Sequence, residues 1–290
     1  MDSQLPRSQP RQVYKPKQEV DSPSPEENAE MGFIDHLDAL RWHVIRAFIS
    51  IVAIAVIAFI KKDIVFGIFI LGPKSSDFIT YQWLCQLSKT YFGSDFLCFD
   101  FSIALQSIKP TSQFTTHIIS SFVAGFIVAF PYVFWEIWRF VKPALYSGEK
   151  KSIRGVVFIV SFLFFLGVSF AYFVVIPFAI KFMFDYTVDD TVENIWTLGY
   201  YMSFITGLLI VGGLIFQLPV VSYFLSSIGI ATPEGMKRYR KHAVVTILFV
   251  SAILTPPDWF TQIAIGVPIY LLYEVSIRVS HFVHRKSELS

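Results

Sequence analysis

Charged residues are scarce in this chain. Asp, Glu, Lys and Arg together make up 16% of 290 residues, against roughly a quarter in an ordinary soluble domain. Cysteine is scarcer still: two residues exclude a disulfide-rich secreted scaffold. A formal net charge of +2 leaves no electrostatic footprint for nucleic acid. No Gly-rich phosphate loop is present, so the chain carries no nucleotide motif. What abounds is apolar surface. Hydrophobic residues make up 54%, and 31 Phe outnumber Lys and Arg together, at 24. A water-soluble fold of this length cannot hide that much apolar surface in one core. The composition therefore excludes a disordered chain or a coiled coil and points to an integral membrane protein.

Residues 1–30 differ from the rest: rich in Pro, Ser, Gln and mixed charge, they read as a disordered tail. No apolar core follows a basic start, and Asp2, Glu19, Asp21, Glu26, Glu27 and Glu30 oppose an acid-poor transit peptide. Residues 31–279 form the expected membrane domain, with a long loop at about 62–116, and 280–290 a short second tail.

Six apolar segments are expected to give an all-α polytopic fold. They run through Ala47–Ile60, Ile118–Trp135, Gly155–Ile180, Asn194–Pro233, Ala243–Leu254 and Trp259–Tyr273. The fourth is too long for one simple span and should bend near Pro219. The last two fall short of the ~20 residues that cross about 30 Å of hydrocarbon, so a tight hairpin of two short helices is expected. Five spans are the main competitor. With six, 18 of the 24 Lys and Arg fall on the side of both termini, which the positive-inside rule assigns to the cytoplasm. Cys85 and Cys98 then share one exported loop. Either they pair and staple it, or they stand as two unconnected thiols.

Five local patterns resemble one family in order. His36-Leu37-Asp38-Ala39-Leu40-Arg41 stands before the first span, where TatC proteins typically carry His-Leu-Glu-Glu-Leu-Arg. Pro131 to Tyr146, followed by Glu149-Lys150, resembles the second span and first cytoplasmic loop. Phe170 to Pro177 resembles span three, Phe216-Gln217-Leu218-Pro219 span four, and Leu254-Thr255-Pro256-Pro257-Asp258 the turn before the last span. The resemblance covers about Gly32 to Val279. It implies the core receptor of twin-arginine translocation in a bacterial cytoplasmic (inner) membrane, not an enzyme and without a cofactor or metal. Its implied partners are twin-arginine signal peptides, single-span TatA/TatB-type subunits and further copies of itself in the lipid bilayer, with transport driven by the proton-motive force.

A peptide bearing two guanidinium groups needs carboxylates held at the membrane surface. Glu149, between Tyr146 and Lys150, matches the family's receptor glutamate, with Phe140 and Pro143 shaping the same surface. Arg41 belongs to the motif before span one. There the chain departs from the pattern: Asp38 is followed by Ala39 where two acids are usual, and Asp35 lies one helical turn before Ala39. Either Asp35 or Asp38 supplies the second carboxylate, or both are helix-start acids favoured by the dipole. The membrane polar pair looks exchanged, with Glu136 in span two and Gln217 in span four. Glu136 either lines one polar pocket with Gln217 or snorkels near Arg139. Thr255 and Gln262 match polar positions that hold partner helices, and Asp258 is a helix cap or a contact of the same kind.

The rival reading is a proton-coupled secondary transporter or channel, but two hydropathy-related halves are missing. An intramembrane protease would need a catalytic dyad, whereas His117 lies at a span edge and His242, His281 and His284 outside the spans. The stretch from about Tyr81 to Cys98 looks like an insertion relative to the family loop. It reads as a partner contact or a periplasmic cap.

Overall fold

The computed structural model describes residues 25–95, 97–141, 153–189, 191, 194–254 and 259–288. Of the expected tail, residues 1–24 lie outside the described residues. The chain divides into two compact units, Met1–Trp42 and His43–Ser290. The described part of the first is helical from Pro25, earlier than the division expected at residue 30. Asp38, Arg41 and Trp42 are exposed along it.

Hydropathy dictates the second unit. Among the described residues five stretches are long and apolar enough to cross a membrane: Leu40–Ile60, Ser112–Phe140, Gly155–Asp185, Leu198–Ser227 and Gln262–Arg285. The helices behind them are α1 (Pro25–Ile60), α3 (Ser112–Val141), α4 and α5 (Ile153–Phe170 and Ile176–Asp185), α6 and α7 (Leu198–Ile215 and Leu218–Ser227), and α10 (Trp259–Glu288). Val44, Phe48, Ile57 and Ile60 on α1 and Phe158 and Phe162 on α4 point outward, each more than half exposed. Apolar side chains facing out over whole helices are what a lipid solvent selects. The fold is an all-α polytopic membrane protein.

Glycine sets the closest crossings. A Cβ on Gly125 of α3 would stand 2.8 Å from the Ile51 carbonyl of α1, and one on Gly167 of α4 2.5 Å from the Gly212 carbonyl of α6. Lipid supplies no hydrophobic drive between helices, so such close backbone approach is a main source of packing attraction. Beside these contacts Phe130 of α3 stacks on Phe164 of α4, ring centroids 3.6 Å apart.

Prolines break two spans. A π segment, Ala171–Val175, separates α4 from α5 just before Pro177. Pro177 cannot donate to the Phe173 carbonyl, and the Thr80 hydroxyl donates to that oxygen instead, at 2.9 Å. Before Pro219 the chain turns between α6 and α7, as the sequence predicts. There the Gln217 amide N–H shifts to Leu214, and the side-chain Nε2 of Gln217 takes up the Gly213 carbonyl at 3.5 Å.

The last hairpin differs from the expectation. α9 (Arg240–Leu254) is short, about 22 Å at 1.5 Å per residue. α10 is not short: it runs 30 residues to Glu288, far past Tyr273. The continuous apolar run stops at Tyr273 because Glu274 follows, paired with Arg240 of α9 at 2.8 Å, and the next turns bury polar atoms against a neighbour. Ser222 of α7 donates to the Ser276 carbonyl at 3.1 Å, and Ser226 to Ser280 Oγ at 2.8 Å. Matching steps of four in the same direction show that α7 and α10 run parallel.

The expected long loop is folded. It holds a π segment (Asp63–Ile70), a 3-10 turn (Gly72–Lys74), the helix α2 (Ile79–Phe92) and the strand β1 (Leu105–Gln106). β1 pairs in parallel with β2 (Trp196–Thr197). Cys85 and Cys98 are joined as a disulfide. Tyr81 is 2% exposed, its hydroxyl donating toward the carbonyls of Pro73 at 3.3 Å and Pro177 at 3.1 Å. Burial pushes its phenol above the ordinary tyrosine value. Tyr201 of α6 donates to the Ile70 carbonyl at 2.9 Å, fixing the loop to the helices. The short helix α8 (Pro233–Arg238) is capped by Thr232, which accepts from the Gly235 N–H at 3.2 Å.

Candidate functional site

Glu136 sits one turn before the end of α3 and is 1% exposed. An unpaired carboxylate at such a place is costly, at roughly 2.5–3.5 kcal/mol even on insertion scales. Three side chains compensate. His43 Nδ1 of α1 stands 2.5 Å from Glu136 Oε2, the Tyr132 hydroxyl donates to Oε1 at 3.0 Å, and Arg139 Nη1 lies 3.9 Å from Oε1. Tyr132, Glu136 and Arg139 share one face of α3 through steps of four and three. Arg139 also lies 4.8 Å over the Trp135 ring, and Phe140 packs its ring at 6.4 Å from His43. This cluster fastens α1 to α3.

Gln217 has a separate set of partners. Its Nε2 donates to the Val160 carbonyl of α4 at 3.3 Å, while Oε1 is buried without a hydrogen-bond partner among the described residues. The structure brings Glu136 to α1 and Gln217 to α4. Among the described residues no hydrogen bond joins the two. Burial drives each polar group to its nearest donors or acceptors, and these lie on different helices.

The remaining predicted residues fall in three groups. Asp38 and Arg41 are exposed on α1; Asp35 lies on the same helix, its side chain outside the described set. Pro143, Tyr146, Glu149, Lys150, Thr255 and Asp258 lie outside the described residues. Gln262, on the first turn of α10, donates through Nε2 to the Leu248 carbonyl of α9 at 3.1 Å. That bond ties the hairpin together. Among the described residues no cluster of three His, Cys, Asp or Glu is placed to hold a metal ion.

His43 and Tyr132, the partners that hold Glu136, are not among the residues the sequence singles out. The usable signal was the acid itself. A glutamate inside a span requires a polar partner, and His43 lies with Arg41 and Arg46 at the matching end of the first span.

A family model described as Sec-independent protein translocase protein (TatC) matches residues 35–268. The chain belongs to the TatC family. The TatC protein of Blattabacterium sp. subsp. Periplaneta americana is 36% identical over 262 residues, spanning 90% of this chain and 98% of that protein. That of Halalkalibacterium halodurans is 33% identical, over 89% and 92%. A crystal structure of the twin arginine translocase receptor TatC matches with a TM-score of 0.62 at 30% identity, covering 86% of this chain and 99% of that one. A second, in DDM, gives 0.65 at 31% identity, over 84% and 99%. TatC membership makes the chain a multi-pass translocase receptor subunit rather than an enzyme, and implies a complex with other subunits.

Proposed function

We propose that this TatC protein is the receptor that binds twin-arginine signal peptides of folded proteins and recruits single-span TatA/TatB-type subunits for export driven by the proton-motive force. The family match across residues 35–268 carries the reading. The exposure of Asp38 on the first helix agrees with it. In this reading Glu149 and one of Asp35 and Asp38 face the two guanidinium groups, with Phe140, Pro143, Tyr146 and Lys150 around them and Arg41 on the helix before span one. Paired carboxylates select guanidinium over ammonium because the planar fork forms two parallel hydrogen bonds.

The excess of Lys and Arg beside both termini supports a cytoplasmic location for them. Among the described residues Gln217 Oε1, at the break between α6 and α7, has no hydrogen-bond partner, which supports a polar contact there; in this reading Thr255, Asp258 and Gln262 meet polar groups of partner helices. Interhelical hydrogen bonds contribute roughly 0.6 kcal/mol each, so several would act together.

The test is co-purification of the full chain, in detergent, with a precursor carrying a paired-arginine signal. Retention of the intact precursor and loss on replacing both arginines by lysine is the expected result. Equal retention of both precursors would sink the reading.

A further inference from the structure

Helix α2 presents three flanks. Tyr81 and Ser88 are buried, Cys85 is tied to Cys98, and together they form the flank against the protein. Gln82, Gln86 and Lys89 form a polar flank, lining with Asp77 and Asp100 an open groove of about 440 Å³. The third flank is apolar and uncovered: Ile79 is 62%, Trp83 59% and Tyr91 76% exposed. With the half-buried Leu87 these residues recur every four positions, one stripe along a helix.

The height of this stripe can be read from its contacts. Thr80 donates to the Phe173 carbonyl at 2.9 Å, and Phe78 stacks on the Phe173 ring at 6.2 Å. Phe173 lies inside the apolar stretch Gly155–Asp185, eight residues and about 12 Å before Lys181. Lys181 pairs with Asp185 and marks the polar end of that helix. The start of α2 thus lies level with the outer third of that apolar stretch. Its apolar stripe also continues a lipid-facing surface. Ile64, Ile68 and Phe69 of the π segment are at least half exposed, and Tyr172 of span three joins them through its hydroxyl to the Ile68 carbonyl at 3.4 Å.

We propose that α2 is an interfacial helix, lying in the lipid headgroup boundary of the leaflet on its side with Ile79, Trp83, Leu87 and Tyr91 in the membrane and Gln82, Gln86 and Lys89 toward water. An aromatic and aliphatic flank opposite a polar one is the signature of a helix in the interface plane, and Trp and Tyr settle at that depth. The assignment is independent of which substrate the translocase receives.

Both native cysteines are bonded to each other, so a single introduced cysteine in the full chain takes a nitroxide label selectively. Ile79→Cys, Trp83→Cys and Leu87→Cys sample the apolar flank; Gln82→Cys, Gln86→Cys and Lys89→Cys sample the polar one. In phosphatidylglycerol/phosphatidylethanolamine vesicles, molecular oxygen should relax labels on the first flank more than a water-soluble nickel chelate does, with the order reversed on the second. Dominance of the nickel chelate on both flanks overturns the proposal. So does a first flank shielded from both reagents, which would mean that protein covers it. A second measurement needs no cysteine: the Trp83 emission, wild type minus Trp83→Phe, should be quenched by brominated acyl chains and spared by aqueous acrylamide. The opposite pattern also overturns the proposal.

Discussion

His43 and Glu136, 93 positions apart in sequence, meet at 2.5 Å between Nδ1 and Oε2. The pair spans two membrane helices at the one described carboxylate that is 1% exposed. A buried charge with its partners in place is tolerated; the same charge stripped of one partner is not. The contact therefore adds a polar tie between α1 and α3 to the close packing at Gly125.

A two-residue cycle follows from this. His43→Leu leaves the Glu136 carboxylate with Tyr132 and a distant Arg139, and should destabilise the folded protein by about 3–5 kcal/mol. The double variant His43→Leu/Glu136→Leu removes both polar groups and should recover more than half of that loss. Unfolding of the purified chain in detergent reads the coupling, and strict additivity of the two single variants would contradict it.

Thr80 offers a second test. Its hydroxyl replaces the N–H that Pro177 lacks, so Thr80→Val leaves the Phe173 carbonyl unsatisfied. The expected cost is about 1 kcal/mol, and Thr80→Ser should restore it. Thermal unfolding with the Cys85–Cys98 disulfide intact compares the three proteins. Equal midpoints for Val and Thr at position 80 would remove the argument.

The glycine crossings predict a sharp contrast between neighbouring sites. A Cβ on Gly167 meets the backbone carbonyl of Gly212 at 2.5 Å, an atom that cannot rotate away. Gly167→Ala should cost about 1–3 kcal/mol through forced backbone shifts. On Gly207 a Cβ meets nothing within 4 Å, so Gly207→Ala should be neutral or slightly stabilising. Folded yield and unfolding midpoint in detergent distinguish the two.

The parts of the fold that were legible are those where one local signal suffices. Apolar runs located the spans, Pro219 located the break after Gln217, and the shortness of α9 followed from its length. The apolar run of α10 ends at Tyr273 because Glu274 follows, and only the facing Arg240, Ser222 and Ser226 show why the helix continues. α2 was hidden for a related reason. Its three flanks mix apolar and polar residues so evenly that no run stands out, and Tyr81 is buried by the distant rings of Phe99 and Phe101 and by the carbonyls of Pro73 and Pro177. The His43–Glu136 contact lacks any local period. Complementarity between distant positions is a tertiary property, visible in sequence only as an acid that lacks a partner.

The recognition surface proposed for the signal peptide makes the last prediction. The first helix carries Asp38 and then Ala39, so one carboxylate stands where TatC proteins usually have two. In the proposed reading Ala39→Glu adds an acceptor for a guanidinium on the face shared with Asp35. A charge-assisted hydrogen bond contributes about 1.5–3 kcal/mol, which corresponds to roughly a tenfold to hundredfold gain in affinity. Glu149→Gln should lower affinity by a similar factor, because the amide keeps the shape but loses the charge. Asp35→Asn and Asp38→Asn divide the remaining contribution between them. Photocrosslinking of a labelled twin-arginine precursor, titrated against each full-length variant in native lipid, gives the ratios. Ionic strength supplies an internal check, since surface ion pairs weaken with added salt: the advantage of Ala39→Glu should shrink at high salt. If Ala39→Glu changes nothing while Glu149→Gln abolishes capture, a single carboxylate suffices for the arginine pair. The aspartates on the first helix then serve its dipole alone.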